Sequence, residues 1–130
     1  MSPDKIELIL PLKPEFVSVA RLTTSGIASR IGFDIDTIED IKVSVAEVCN
    51  RIINAGSGGT YTIAYEVSAK DFTITFSSGA DGLNDIFKDD EDGLGVAIVN
   101  AFMDQVNFCP DNTFILSMTK STEGISRDGE

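Results

Sequence analysis

The sequence predicts an α+β fold, a two-layer sandwich in which a mixed, mostly antiparallel sheet is covered on one face by three helices. Three observations carry this. Apolar residues alternate with polar ones at period two in paired segments joined by short turns, most clearly over Tyr61 to Val67 and Phe72 to Phe76. Two stretches between about Pro14 and Ala55 repeat apolar residues at helical spacing. The resulting order is β-α-α-β-β-loop-α-β-β. It pairs the strands as hairpins and lets the helices share one face.

Each element has its own signal. Ile6, Leu8, Leu10 and Leu12 alternate with Glu7, Ile9 and Pro11, a half-buried strand whose proline suits a sheet edge. A helix follows from about Pro14 to Ile31, with proline in its first turn and Gly32 as its stop. Its expected inward face is Phe16, Val19, Ala20, Thr23, Ile27 and Ile31, with Gly26 in its interior. Asp36 is the expected cap of the second helix, with Glu39 three residues on as capping-box partner. That helix runs to about Ala55 and ends at Gly56-Ser57-Gly58-Gly59. Ile38, Ile41, Val45, Val48, Cys49 and Ile52 form its apolar stripe; Glu47, Asn50, Arg51 and Asn54, at i, i+3, i+4 and i+7, form a polar face almost opposite.

Two strands follow, with Ala69-Lys70-Asp71 as the turn between them. From Ser78 to Asp92 the pattern breaks into a long loop rich in acids (Asp81, Asp85, Asp89, Asp90, Glu91 and Asp92) with Lys88 as its one lysine. Loops of this length inside a compact domain are uncommon and often functional. Gly93-Leu94-Gly95 opens a third helix, Val96 to Met103; strands near Gln105 to Cys109 and Thr113 to Thr119 complete the order, turning at Pro110-Asp111-Asn112. A single domain over residues 1–119 with a disordered tail over 120–130 is the expected organisation.

Composition narrows the function. The net charge of −11 argues against nucleic acid and against an anionic membrane surface. No apolar run approaches the ~20 residues of a membrane span, and Met1-Ser2-Pro3-Asp4 lacks a signal pattern, so a cytoplasmic location is expected. The chain has no histidine and no CxxC, which disfavours zinc and removes Ser-His-Asp chemistry. Cys49 lies on the apolar stripe and reads as a small core hydrophobe. A helix start with two glycines lets a phosphate approach backbone N–H groups closely, although such a start is also an ordinary flexible entry. The polar helix face upstream adds weight to the first reading. Glu47 and Arg51 are equally an i, i+4 ion pair, worth ~0.3–0.5 kcal/mol on an exposed helix.

Three passages carry a resemblance to a known family. They are Asp40-Ile41-Lys42-Val43-Ser44-Val45-Ala46-Glu47, Asp81-Gly82-Leu83, and Gly93-Leu94-Gly95-Val96-Ala97-Ile98-Val99 with Phe102-Met103-Asp104-Gln105-Val106. In these the chain resembles the bacterial anti-sigma-factor serine kinases of sporulation and general-stress switches. Those proteins have the histidine-kinase-like (GHKL, Bergerat) ATPase fold. The resemblance spans roughly residues 5 to 119, and the third passage is the most specific. It implies ATP and Mg²⁺ as cofactors and a homodimer. As partners it implies a sigma factor and an anti-sigma-factor antagonist whose serine is phosphorylated.

Residue by residue, Glu47 stands at the family's catalytic base, which activates a hydroxyl beside the γ-phosphate. The family's Mg²⁺-holding asparagine, four positions on, is Arg51 here, and a guanidinium cannot ligate a cation. Asn50 is adjacent as a Mg²⁺ candidate but rotated about 100° around the helix, and Asn54 lies one turn further along; no metal ligand is assigned. The family's Asp-x-Gly-x-Gly becomes Ser78-Gly79-Ala80-Asp81-Gly82, so Ser78 replaces the aspartate that accepts the adenine amino group and Ala80 replaces a glycine. Gly93-Leu94-Gly95 is intact. The nucleotide contacts implied are thus Asn50, Arg51, Asn54, Ser78, Asp81, Gly82, Gly93, Leu94 and Gly95, with one positive charge at Arg51 in place of the metal's. Three functions stay open at this point: an anti-sigma-factor regulatory kinase, a catalytically inactive binding module of the same fold, and a sensor of another small ligand.

Overall fold

The computed structural model describes residues 4–79, 86–87, 93–108, 114–123 and 125. In chain order the elements are β1 (Asp4–Pro11), a 3-10 turn (Pro14–Phe16), α1 (Val17–Ile31), α2 (Ile35–Ala55), β2 (Thr60–Val67), β3 (Asp71–Ser77), α3 (Leu94–Phe102), β4 (Gln105–Phe108) and β5 (Leu116–Ser121). Among the described residues five strands form one sheet in the order β1-β2-β3-β5-β4, and every pairing is antiparallel where a mixed, mostly antiparallel sheet was expected.

Alternation decides which side of the sheet meets the helices. Tyr61, Ile63, Tyr65, Phe72, Ile74, Phe76, Leu116 and Met118 all point one way and are fully buried. The other face carries Thr62, Glu66, Thr73, Thr75 and Thr119, each partly exposed. Register keeps the buried set aligned, with Leu10 opposite Tyr61, Ile63 opposite Phe76, and Phe76 opposite Leu116. The expected stripe of α2 supplies the matching surface, with Ile41, Val45, Val48, Cys49 and Ile52 at zero exposure. At roughly 1.5–3 kcal/mol for each buried large apolar side chain, this layer is the main stabilising element.

Two helix details differ from expectation. In α1 the buried residues are Val17, Ala20, Thr24, Ala28 and Ile31, so the inward face is turned about one residue from that expected. Phe16 and Val19 are exposed. Small residues at Ala20, Thr24 and Ala28 let α1 approach closely, and the Thr24 hydroxyl is satisfied by donating to the Ala20 carbonyl at 2.7 Å. The cap of α2 is Asp34 rather than Asp36: its Oδ1 accepts from the Thr37 N–H at 2.7 Å, which also lowers the Asp34 pKa. Glu39 then pairs with Lys42 at 3.2 Å. Gly32 ends α1 at φ 110°, a left-handed conformation that favours glycine.

The sheet continues past residue 119. Lys120 and Ser121 belong to β5, and the Lys120 ammonium donates to the Phe102 carbonyl at 2.8 Å, capping the C-terminal end of α3. Thr122 is buried and donates to the Ala69 carbonyl at 3.1 Å. The expected disorder therefore does not begin at residue 120. Most of the expected acidic loop, including Ala80, Asp81 and Gly82, lies outside the described residues, as does Cys109.

Candidate functional site

The helical period brings Glu47 and Arg51 onto one turn of α2, and the chain then brings the start of α3 and Phe87 against them. Arg51 Nε donates to Glu47 Oε1 at 2.9 Å. Both side chains are mostly buried, 25% exposed for Arg51 and 23% for Glu47. The pair therefore feels a lower dielectric than an ordinary surface salt bridge, and its attraction is correspondingly stronger.

The start of α3 passes directly over this pair. Gly93 adopts a left-handed φ of 69°, which turns the chain into the helix. Gly95 is buried with its Cα against the pair: a Cβ there would collide with Glu47 Oε1 and lie 2.8 Å from Arg51 Nη2. A side chain at this position requires the tips of Glu47 and Arg51 to shift or α3 to move off α2. Leu94 between the glycines is exposed.

The third element is Phe87, buried within the segment between β3 and α3. Its ring lies 5.5 Å from the Arg51 guanidinium carbon, within cation–π range. The same ring meets Phe108 of β4 edge-on at 6.0 Å. Arg51 is thus held by a carboxylate, an aromatic face and a helix start. Sequence reasoning did not find Phe87; the signal available was Ile86-Phe87, an apolar pair interrupting an acidic run.

Asn50 and Asn54, expected on the same face, are exposed, and no hydrogen bond ties them to this cluster among the described residues. Ser78 lies at the end of β3, where its hydroxyl donates to the Thr60 carbonyl at 2.6 Å. One residue along β2, the fully buried Tyr61 hydroxyl is an orphan among the described residues, without a hydrogen-bond partner. Burial raises its pKa far above the ordinary tyrosine value, and burial pushes the Cys49 thiol beside it to about 11.

The donor set can hold an anion better than a cation. No group of three histidines, cysteines or carboxylates converges among the described residues. Mg²⁺ demands near-octahedral oxygen ligation, whereas the position beside Glu47 holds a donor-only guanidinium. These residues do not fit Mg²⁺. A cation beside the glycine-rich start of α3 is compatible in charge with the phosphates of a nucleotide. A separate groove of about 550 Å³ runs between β1 and α1, lined by Ile6, Ile27, Arg30 and Val67 among others; it shares no residue with the cluster. No helix among the described residues is long and apolar enough to cross a membrane.

Residues 10–120 match the family described as the histidine kinase-like ATPase domain. A serine-protein kinase named RsbW from Halalkalibacterium halodurans is 38% identical, covering 91% of this chain and 83% of that protein. RsbW serine-protein kinases from Bacillus cereus and Bacillus anthracis are 33% and 32% identical, each covering 97% of this chain and 91% of the relative.

Proposed function

The chain belongs to the histidine kinase-like ATPase domain family, and from that premise we propose that it is an anti-sigma-factor regulatory protein. On this reading it controls transcription by binding other proteins, a sigma factor and an anti-sigma-factor antagonist. An adenine-nucleotide site between α2 and the start of α3 sets which partner is held. The observation that carries the reading is Glu47, a mostly buried carboxylate set against the Gly93–Gly95 helix start. Glu47 is the base that would take the proton of a serine hydroxyl on the antagonist. Ser78, its own proton given to Thr60, accepts from the amino group of an adenine. ATP and Mg²⁺ go with the family in general; here the residues support the nucleotide and not the metal.

Partner contact falls to α1 and the free edge of β1. Ile9 is 65% exposed and Leu22 72% exposed, and among the described residues no strand lies on the outer side of β1. A sheet edge of this kind can pair with an added strand. A second reading, a binding module without catalysis, is favoured by one observation: the Glu47 oxygen is already held by Arg51.

The test is a thermal-shift titration with ATP and ADP, since a ligand that binds only the folded state raises the melting temperature by mass action. The reading expects a rise of several degrees at millimolar nucleotide; no rise would remove the nucleotide site from it. Incubation with ATP and an antagonist, followed by intact mass, separates the two versions. A phosphoryl gain on the antagonist that is lost in Glu47→Gln supports the kinase, and no gain supports the binding module.

A further inference from the structure

We propose that Arg51 takes the place of a divalent cation in this site, so that the chain binds nucleotide phosphates without Mg²⁺. The proposal rests on the nucleotide site described above. It goes beyond it by naming the group that meets the phosphates and by removing the metal.

A charge serves a bound phosphate well only if it is fixed beforehand, because ordering a long side chain on binding costs entropy. Arg51 is fixed from three directions: Glu47 at 2.9 Å through Nε, the Phe87 ring at 5.5 Å, and the backbone of Gly95. The Nε edge faces the carboxylate and the Nη2 edge faces the first turn of α3. The positive end of that helix adds to the guanidinium at the same spot. Arginine is suited to this work because its planar donors match phosphate oxygens. Being only a quarter exposed, it acts with little screening.

The same arrangement excludes a metal. A divalent cation beside Arg51 would meet a like charge at short range, and the Glu47 oxygen nearest to it is already engaged.

The experiment is calorimetric titration of the full chain with ATP, after chelator treatment, in excess EDTA and in excess Mg²⁺. The expected dissociation constants agree within about threefold, since Arg51 already supplies the charge. Arg51→Asn weakens binding in EDTA by roughly tenfold to a hundredfold, the scale of a charge-assisted contact. Arg51→Lys, which keeps the charge but loses the planar donors, weakens binding less than Arg51→Asn does. Unliganded melting curves of both variants establish that they fold. Wild-type binding that requires Mg²⁺ overturns this inference and leaves the nucleotide site standing. So does an Arg51→Asn variant that binds in EDTA as tightly as wild type. No binding under any condition overturns both.

Discussion

Two polar clusters in this molecule look similar on paper and behave differently. One is Tyr65, Thr24 and the Ala20 carbonyl, which joins β2 to α1. Thr24 donates to Ala20 at 2.7 Å, and the Tyr65 hydroxyl lies 2.8 Å from Thr24. All of it is buried, none of it is charged, and its partners are all within the fold. The other is Glu47 and Arg51, charged, a quarter exposed, and placed where a helix start and a buried aromatic ring meet α2. A closed neutral network contributes stability and offers a ligand nothing. A charged pair at the rim of the core costs more to assemble, and its position beside a glycine-rich helix start is what suits it to a ligand.

The largest effect expected of the closed cluster and its neighbours is alkaline. Burial pushes the Cys49 thiol from 9.0 to about 11 and the Tyr65 phenol from 10.0 to about 12. The unfolded chain releases these protons first, so the contribution is complete below about pH 9 and is lost as pH rises through about 11 to 12. Cys49 alone accounts for a loss of about 2–3 kcal/mol. Urea titrations between pH 8 and 11 should show it, and Cys49→Ala should flatten its lower part. A wild-type curve that stays flat to pH 11 would contradict this account of the core.

Gly95→Ala comes next and strikes the open cluster. Its methyl group must displace the ion pair or α3, a form of overpacking that costs about 1–3 kcal/mol. Nucleotide-induced stabilisation should disappear with it. A variant that keeps the wild-type melting temperature would show that α3 can move away from α2 freely.

The smallest effect is Tyr65→Phe. It removes the Tyr65 hydroxyl's contacts with Thr24 at 2.8 Å and the Ala20 carbonyl at 3.5 Å while Thr24 keeps its bond to Ala20, so the cost is about 0.5–1.5 kcal/mol. Nucleotide affinity should stay at the wild-type value. A change in affinity would mean that the two clusters are coupled and that the contrast between them is not one of structure against function.

Much of the fold was legible in the residues. The alternation of β2 and β3 named its buried side chains one by one, because a pleated strand leaves only two faces to choose between. The stripe of α2 was equally plain, because its apolar residues sit on one side only. In α1 apolar residues lie on both sides, and close approach through Ala20, Thr24 and Ala28 selected the face. Asp36, the expected cap, falls inside the first turn of α2, whereas Asp34 has the extended angles of a cap, φ −72° and ψ 168°, and accepts from the Thr37 N–H. In the candidate site the Glu47–Arg51 pair follows from helical spacing. Phe87 does not, since its contact with Arg51 joins residues far apart in the chain. Asp81 and Gly82 lie outside the described residues.

By itself, then, the sequence determined the periodicities, the element order, the acidity that disfavours nucleic acid, and the pairing of Glu47 with Arg51. Each of these depends on spacing along one segment. Only the tertiary structure decided that Gly95 closes on that pair, that Phe87 covers the guanidinium, and that Ser78 gives its proton to Thr60. Those are contacts between segments, set by how the helices pack on the sheet, and no local pattern encodes them. Glu47 and Arg51 were visible as a pair on one helix; packing made them a site.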